Sequence, residues 1–451
     1  MPFKSKNTTE MRDDAVRIFY AGLDAVEAGA TVKRYCKIEG NSFCVRASQY
    51  DLCRFQNIFV VGAGKASAPM AQAIEDLLGK RISNGIINVK YGHIADLDRI
   101  ELVEAGHPVP DRNGEQGAQR ILSLVRDAGK DDLVLCLISG GCSALLPLPA
   151  NHITLKDKQD TIKILLSCGT NIHEINAIRK HVSKIKGGKL AKAAYPCSTV
   201  SLILSDVVGD DLDVIASGPT VPDSSTFLDC IEIFDKYNIK EKLPQNIVSH
   251  IEQGDRSIVS ETAKPGDPAF ESVYNLIIGS NIEAIKEAKL KAESLGYNTM
   301  ILSSMIEGDT RQAAQFHTAI AKDIIKTGNP VSPPACILSG GETTVNVKGD
   351  GLGGRNQEFS LAAAIDIAGN DTVIVLSAGT DGTDGPTDAA GALADNNTER
   401  RAKAIGLDSH SFLLNNDSYI FFKKLDDLFI TGPTNTNVMD LRIILVGPKL
   451  A

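Results

Sequence analysis

The sequence predicts an α/β protein of two domains, and three observations predict it. Short β-rich runs alternate with longer stretches of helical periodicity, the pattern of sheets layered with helices. The strand runs are apolar nearly throughout, as in parallel sheets covered on both faces. The length of 451 residues exceeds what one ordinary core organises.

The elements follow in order. Asn57–Val61 reads as a strand, followed by a glycine-bearing turn and a helix over Ser67–Leu78. Gly85–Val89, Leu133–Ile138 and Thr199–Leu204 are further short strands, and Asp157–Leu166, His173–Lys186 and Ser225–Tyr237 have helical periodicity. Gln253–Pro268, rich in Gly, Pro and charge, is the expected linker, dividing the chain into 1–252 and 253–451. A second series then runs as strand Tyr274–Ile278, helix Ile282–Leu295, strand Asn298–Leu302, helix Asp309–Ile325 and strand Ala335–Leu338. Helix Gln357–Ala368, strand Thr372–Leu376 and strand Leu441–Val446 complete it. No repeat at solenoid periods interrupts this order.

Composition excludes several classes of function. A hydrophobic content of 43% with 23% charged residues is too apolar for disorder. The net charge of −9 is spread along the chain, and no basic stripe exceeds Arg179–Lys192, so no nucleic-acid partner is expected. Nine cysteines without a C-x-x-C pair read as buried thiols of a reducing compartment. The start, MPFKSKNTTEMRDD, has no apolar targeting segment, and no run approaches the roughly 18 apolar residues of a membrane span. The cytoplasm is the expected location, with no membrane partner. The sequence leaves monomer and homodimer open.

The candidate chemistry gathers where strands end, because ligands of open parallel sheets bind at the carboxyl ends of strands. Gly62, Gly64 and Lys65 form a glycine turn opening a helix, which either offers backbone N–H groups to an anion or serves packing alone. It lacks the P-loop pattern, and Ser67 stands at the third glycine of a dinucleotide fingerprint. Ser139, Gly140, Gly141 and Ser143 can make a backbone nest for phosphate or a tight turn without function; Cys142 fits packing better than nucleophilic attack. Asp206, with Asp210 and Asp211 close by, suits a general base, a Mg2+ ligand or a helix cap. Gly349, Gly351, Gly353 and Gly354, following Gly340 and Gly341, suggest a mobile or backbone-exposing loop ending at Arg355, whose fork suits a carboxylate or phosphate. Asp381, Asp384 and Asp388 resemble a metal–nucleotide loop without the calcium-binding pattern. With no H-x-x-x-H pair, a zinc hydrolase is disfavoured.

Taken together, VVGAGKASAPMAQAIEDLL, GHPVPD, SGGCSALLPLP, HVSKIKGGKLA, LSDVVGDDLDVIASGPT, SGGETTVNVKGDGLGGRNQEFSLA and AGTDGTDGPTDAAGALAD resemble the glycerate 2-kinase, or MOFRL, family over nearly the whole chain. The chain departs from the family pattern at Cys142, Asn435 and Met439. The resemblance implies an amino-terminal Rossmann-like parallel-sheet domain, a carboxyl-terminal α/β MOFRL domain and an active site in the cleft between them. It implies ATP-dependent phosphorylation of D-glycerate to 2-phosphoglycerate with Mg2+. Lys65, Asp206, Arg355 and Asp381 fall on the family's catalytic positions. Lys65 would meet the transferring phosphoryl, Asp206 the substrate hydroxyl and Arg355 a carboxylate or phosphate. Asp381 would bind Mg2+, with Asp206 the other candidate ligand. Gly140–Ser143 and Gly187, Gly188 and Lys189 would cradle nucleotide phosphates. The rival expectations are an NAD(P)H-dependent hydroxypyruvate reductase and a non-catalytic metabolite sensor.

Overall fold

The structure is a computed structural model and describes residues 6–370 and 372–448. It comprises two compact units. One is Ala28–Ile278; the other joins the residues up to Glu27 to those from Gly279 onward. The division therefore falls later than 252/253, and the start of the chain belongs with its end.

Packing explains both differences. The expected linker is folded onto the first unit. Helix Gln245–Asp255 buries Ile247, Val248 and Ile251 in a cluster with Phe227 and Phe234. Beyond it, Glu261 Oε1 lies 2.7 Å from His181 Nε2, and Ala263 N–H donates to Gly187 O. At the other end of the chain, helix Thr8–Ala25 is opened by a capping box between Asn7 and Glu10. It buries Met11, Ala15, Ile18, Phe19 and Leu23 against Ile285, Ala288 and Ala292 of helix Asn281–Ser294. The helices approach so closely at Gly22 that a Cβ there would lie 2.9 Å from Ala284 O. Arg12 adds salt bridges to Asp395 and Asp427.

The sheet of the first unit has the order Ile100–Ala105, Asn84–Lys90, Asn57–Ala63, Asp132–Ile138, Ser198–Leu204, Val273–Gly279. Its first five strands are mutually parallel. Numbered along the chain the order is 3-2-1-4-5-6, that of the doubly wound dinucleotide-binding fold. The order reverses between Asn57–Ala63 and Asp132–Ile138, and such a switch point leaves a crevice beyond the strand ends. A small antiparallel sheet, Cys36–Glu39, Ser42–Val45 and Ser48–Asp51, precedes it.

The sheet of the second unit is mixed. Its order is Asn298–Ile306, Ala335–Gly341, Asp440–Val446, Val373–Gly379, Gly391–Asp395, Leu428–Phe429, and only the first pair is parallel. The last strand thus sits at the centre, buried along its whole length. It carries Asp440 to the ends of two neighbouring strands, opposite Gly341 and Gly379.

Candidate active site

In the first unit the candidate residues collect around the switch point. A Cβ on Gly62 would lie 2.0 Å from Leu137 O, and one on Gly64 2.0 Å from Ser139 Oγ, so only glycine lets the two central strands end this close together. The turn between Gly62 and helix Ser67–Leu78 is closed against its neighbours. Gly64 N–H donates to Asn88 O, Lys65 N–H to Gly140 O, and Ala66 N–H to Ser139 Oγ at 3.0 Å. Ser67 Oγ bonds to Ser139 Oγ at 2.9 Å. The amides of Gly64, Lys65 and Ala66 are thus spent inside the protein, and Gly62, Gly64 and Ser139 take part in packing the two strand ends together.

The second glycine pair is bonded internally in the same way. Gly187 N–H donates to Ser217 O at 3.0 Å and Gly188 N–H to Gly218 O at 2.7 Å. A Cβ on Gly188 would meet Phe270 Cζ at 2.6 Å. Lys189 Nζ donates to the carbonyls of Lys180 and Ser183 at 3.0 and 2.6 Å. Burial is the main reason its pKa drops to about 8. These residues hold the loop's shape; they do not cradle a ligand with open amides.

What stays open is the turn Gly140–Gly141–Cys142–Ser143. Among the described residues the N–H groups of Gly140 and Gly141 donate no hydrogen bond. A Cβ built on Gly141 would lie 3.4 Å from Lys65 Cγ and 2.8 Å from His107 Cδ2, so Lys65 and His107 flank this turn. The His93 ring lies 2.9 Å from Lys65 O and steadies the backbone below it. Cys142 is buried, and burial pushes its thiol up to about 12, with Asp206 adding to the rise and Lys186 opposing it. A thiol held protonated is no nucleophile. Asp206 follows strand Ser198–Leu204 and is half-buried. Sequence reading passed over Lys186. Its Nζ donates to Ser143 Oγ at 2.9 Å and to Ala216 O at 3.1 Å, and it is buried.

In the second unit Arg355 opens helix Arg355–Asp366. Its Nε donates to Asp440 Oδ2 at 2.8 Å, and NH1 lies 3.0 Å from Glu342 Oε1. Burial opposes the guanidinium charge, but Asp440, Glu342 and Asp384 outweigh it and raise its pKa further. Asp440 also accepts from Asn356 Nδ2 and Arg442 NH2 at 2.8 and 2.9 Å. The three aspartates of the expected metal loop do not converge. Asp384 is buried and accepts the N–H groups of Asn356 and Gln357 at 3.1 and 2.9 Å, capping the helix. Burial raises its pKa to about 6, with Asp440 adding to the rise. Asp388 takes the hydroxyl of Tyr419 at 2.8 Å. Asp381 Oδ1 accepts the N–H and hydroxyl of Thr383, both at 3.0 Å, while its side chain stays half-exposed. Among the described residues no group of three or more His, Cys, Asp or Glu could hold a metal by itself. The glycine-rich loop before Arg355 is tightly packed: Cβ atoms on Gly351 and Gly354 would meet Asn415 O and Asp384 Cγ at 2.4 and 2.3 Å.

A doubly wound unit with a lysine at its switch point, and a mixed-sheet unit presenting an arginine and carboxylates at its strand ends, define an α/β enzyme-type architecture. Comparison with known proteins agrees. The family described as "Domain of unknown function (DUF4147)" matches residues 14–252, and the MOFRL family matches residues 335–440. A D-glycerate 2-kinase of Thermotoga maritima is 44% identical over 390 residues, covering 86% of this chain and 90% of that protein. A putative hydroxypyruvate reductase of Agrobacterium vitis is 43% identical over 390 residues, covering 86% of this chain and 87% of that protein. The crystal structure of glycerate kinase from Thermotoga maritima superimposes with a TM-score of 0.86 at 40% identity, covering 97% of this chain and 100% of that one. The chain belongs to the glycerate 2-kinase family with its MOFRL domain.

Proposed function

We propose that this protein is a cytoplasmic glycerate 2-kinase that transfers the γ-phosphoryl group of ATP to D-glycerate, giving 2-phosphoglycerate and ADP. The observation that carries the reading is the pairing of Lys65 with the unspent Gly140 and Gly141 amides at the switch point. Phosphoryl transfer asks for positioning and for charge neutralisation on the transferred oxygens, and a lysine beside two unspent N–H groups can supply both. In the proposed reaction the glycerate hydroxyl attacks the γ-phosphorus, the bond to the β-phosphate oxygen breaks, and Asp206 takes the hydroxyl proton. Arg355, with Nε and NH1 held by Asp440 and Glu342, keeps its guanidinium plane fixed for the substrate carboxylate or a phosphate.

Mg2+ needs only one or two carboxylates when phosphates complete its shell, so either half-exposed aspartate, Asp381 or Asp206, could serve it by itself, whereas the fully capped Asp384 could not. Bound there, the ion would neutralise phosphate charge. The cytoplasmic setting draws support from the nine cysteines, all free thiols, and no described helix is long and apolar enough to cross a membrane.

The name of the Agrobacterium relative raises the second reading, hydroxypyruvate reduction. Against it stands the Gly62–Ser67 turn, whose amides are spent on Asn88, Gly140 and Ser139, leaving no pyrophosphate cradle of the dinucleotide type. One experiment tests both. ATP consumption with D-glycerate and Mg2+ is measured beside NAD(P)H oxidation with hydroxypyruvate, and the phosphate position of the product is read by NMR. ATP turnover that depends on glycerate supports the kinase; NAD(P)H oxidation with ATP untouched establishes the reductase.

A further inference from the structure

We propose that Lys158, Arg179 and Lys186 form a buried cationic seat for the polyphosphate tail of the nucleotide, entered past Ser143. The inference rests on the kinase reading and names residues that neither the sequence motifs nor the relatives assign.

A hydrogen-bonded chain ties Lys186 to Arg179, and Lys158 is buried beside them. Lys186 Nζ reaches Ser143 Oγ, Ser143 Oγ lies 3.2 Å from Ser217 Oγ, and Ser217 Oγ donates to Asn176 Oδ1 at 2.9 Å. Arg179 NH1 approaches the same Asn176 Oδ1 at 3.4 Å. Lys158 and Lys186 are only 6% and 1% exposed, yet among the described residues neither they nor Arg179 form a salt bridge. Buried lysines ordinarily have an acid within reach, because an unpaired charge removed from water costs several kcal/mol. Here like charges dominate the surroundings. Burial, then Lys158 and Arg179, drive the Lys186 pKa well below its usual value. Burial, then Arg179 and Lys189, likewise pull Lys158 down to about 7, with Glu115 opposing them. A glycerate carboxylate offers these three basic groups a single negative charge; a polyphosphate offers several, enough to hold protons on both lysines.

The backbone carries a second, independent sign. Ala216, Ser217 and Gly218 have φ of 55°, 60° and 59°, three left-handed residues in a row, and two of them carry side chains. Such strain persists only where surroundings over-determine it, and it gathers at ligand clamps. The surroundings here are Gly187 and Gly188, whose amides hold Ser217 O and Gly218 O, while Lys186 holds Ala216 O. The strained turn aims the Ser217 hydroxyl at Asn176 and sets Lys186 beneath Ser143. Ser143, Ala216 and Arg179 are only half-buried, so the edge of the seat reaches solvent.

Calorimetric titration of the whole protein with inorganic tripolyphosphate, and separately with D-glycerate, tests the seat without requiring turnover. Lys186→Met, Lys158→Met and the half-buried Arg179→Gln should each weaken tripolyphosphate binding by about 10- to 100-fold, the scale of one charge-assisted contact. Glycerate affinity should stay within about threefold. The melting temperature of the ligand-free Lys158→Met protein should hold or rise, because removing an unpaired buried charge relieves the fold. Wild-type tripolyphosphate affinity in all three variants overturns the seat. So does loss of glycerate binding with tripolyphosphate binding intact, which would make it a carboxylate site. Weakened tripolyphosphate binding in a protein that never phosphorylates glycerate upholds the seat and removes the kinase reading.

Discussion

Ser139→Ala separates packing from phosphate binding at the switch point. The Ser139 hydroxyl is buried, accepts Ala66 N–H at 3.0 Å and bonds Ser67 Oγ at 2.9 Å. Truncation leaves Ala66 N–H without an acceptor in a closed site, and an orphaned buried donor costs about 1–3 kcal/mol. Ser67 keeps a second acceptor in Leu137 O at 3.4 Å, so its loss adds little. A cost near 2 kcal/mol in a unit the length of Ala28–Ile278 lowers the melting temperature by about 4–8 °C. Ser67→Ala is the control: Ser139 still receives Ala66 N–H, and the cost should be under about 1 kcal/mol. Differential scanning calorimetry gives the shift, and steady-state kinetics give the KM for ATP, which should stay within about twofold. An unmoved melting temperature with a KM for ATP raised tenfold or more would refute the assignment and return Ser139 to the nucleotide.

Three further outcomes are expected. Lys65→Ala should lower kcat by about 10²–10³, the effect of removing a preorganised charge donor, with the melting temperature near wild type; a large thermal loss would mark a structural lysine. Asp381→Asn should raise the Mg2+ concentration for half-maximal rate and recover activity in excess metal, while Asp206→Asn should lose about 10²–10⁴ in rate without rescue; the reverse pattern exchanges their roles. Glu261→Gln should flatten the acid limb of stability. Burial works against the Glu261 charge, but His181, Thr262 N–H and Lys264 outweigh it and hold its pKa at about 2, below the usual 4.5. A depressed carboxylate stabilises the fold above its unfolded pKa and loses that contribution as pH falls through its folded value. The wild-type advantage over Glu261→Gln, read by denaturant titration, should therefore fade between about pH 4.5 and 2; an advantage unchanged across that window would deny the Glu261–His181 pair this role.

The elements with strong local pattern were legible. Helix Ser67–Leu78 stands where its periodicity put it, and Leu133–Ile138 differs from the observed strand by one residue. Helix Thr8–Ala25 carries apolar residues at Met11, Ala15, Ile18 and Leu23, a regular stripe, but Arg12, Asp13, Asp14 and Arg17 between them give the segment a solvated look. Its attachment to the far end of the chain is a contact across more than 250 residues in sequence, and no local pattern encodes that. The same holds for strand Asp440–Val446. Its apolar run announced a strand, while its insertion between Ala335–Gly341 and Val373–Gly379 depends on pairing at long range.

The site was legible in its glycines only up to an ambiguity. A glycine after a strand marks a backbone that something approaches closely, and that something is either a ligand or another strand. At Gly62 and Gly188 it is Leu137 O and Phe270; at Gly140 and Gly141 the amides remain unspent. The distinction lies in where the N–H groups go, which is tertiary information. Charged residues carry a deeper version of this ambiguity. In HVSKIKGGKL, Lys184, Lys186 and Lys189 look alike, yet Lys184 is half-buried, Lys186 is enclosed beneath Ser143, and Lys189 is caged by carbonyls. Lys158 likewise sits in a helix with acids at Asp157 and Asp160, where a surface ion pair is the natural reading. The fold instead turns it inward with no carboxylate in salt-bridge reach among the described residues, at a cost to stability that helix formation does not require. Residues that oppose the fold's own energetics are those that function has to explain, and they can be recognised only once burial and partners are known.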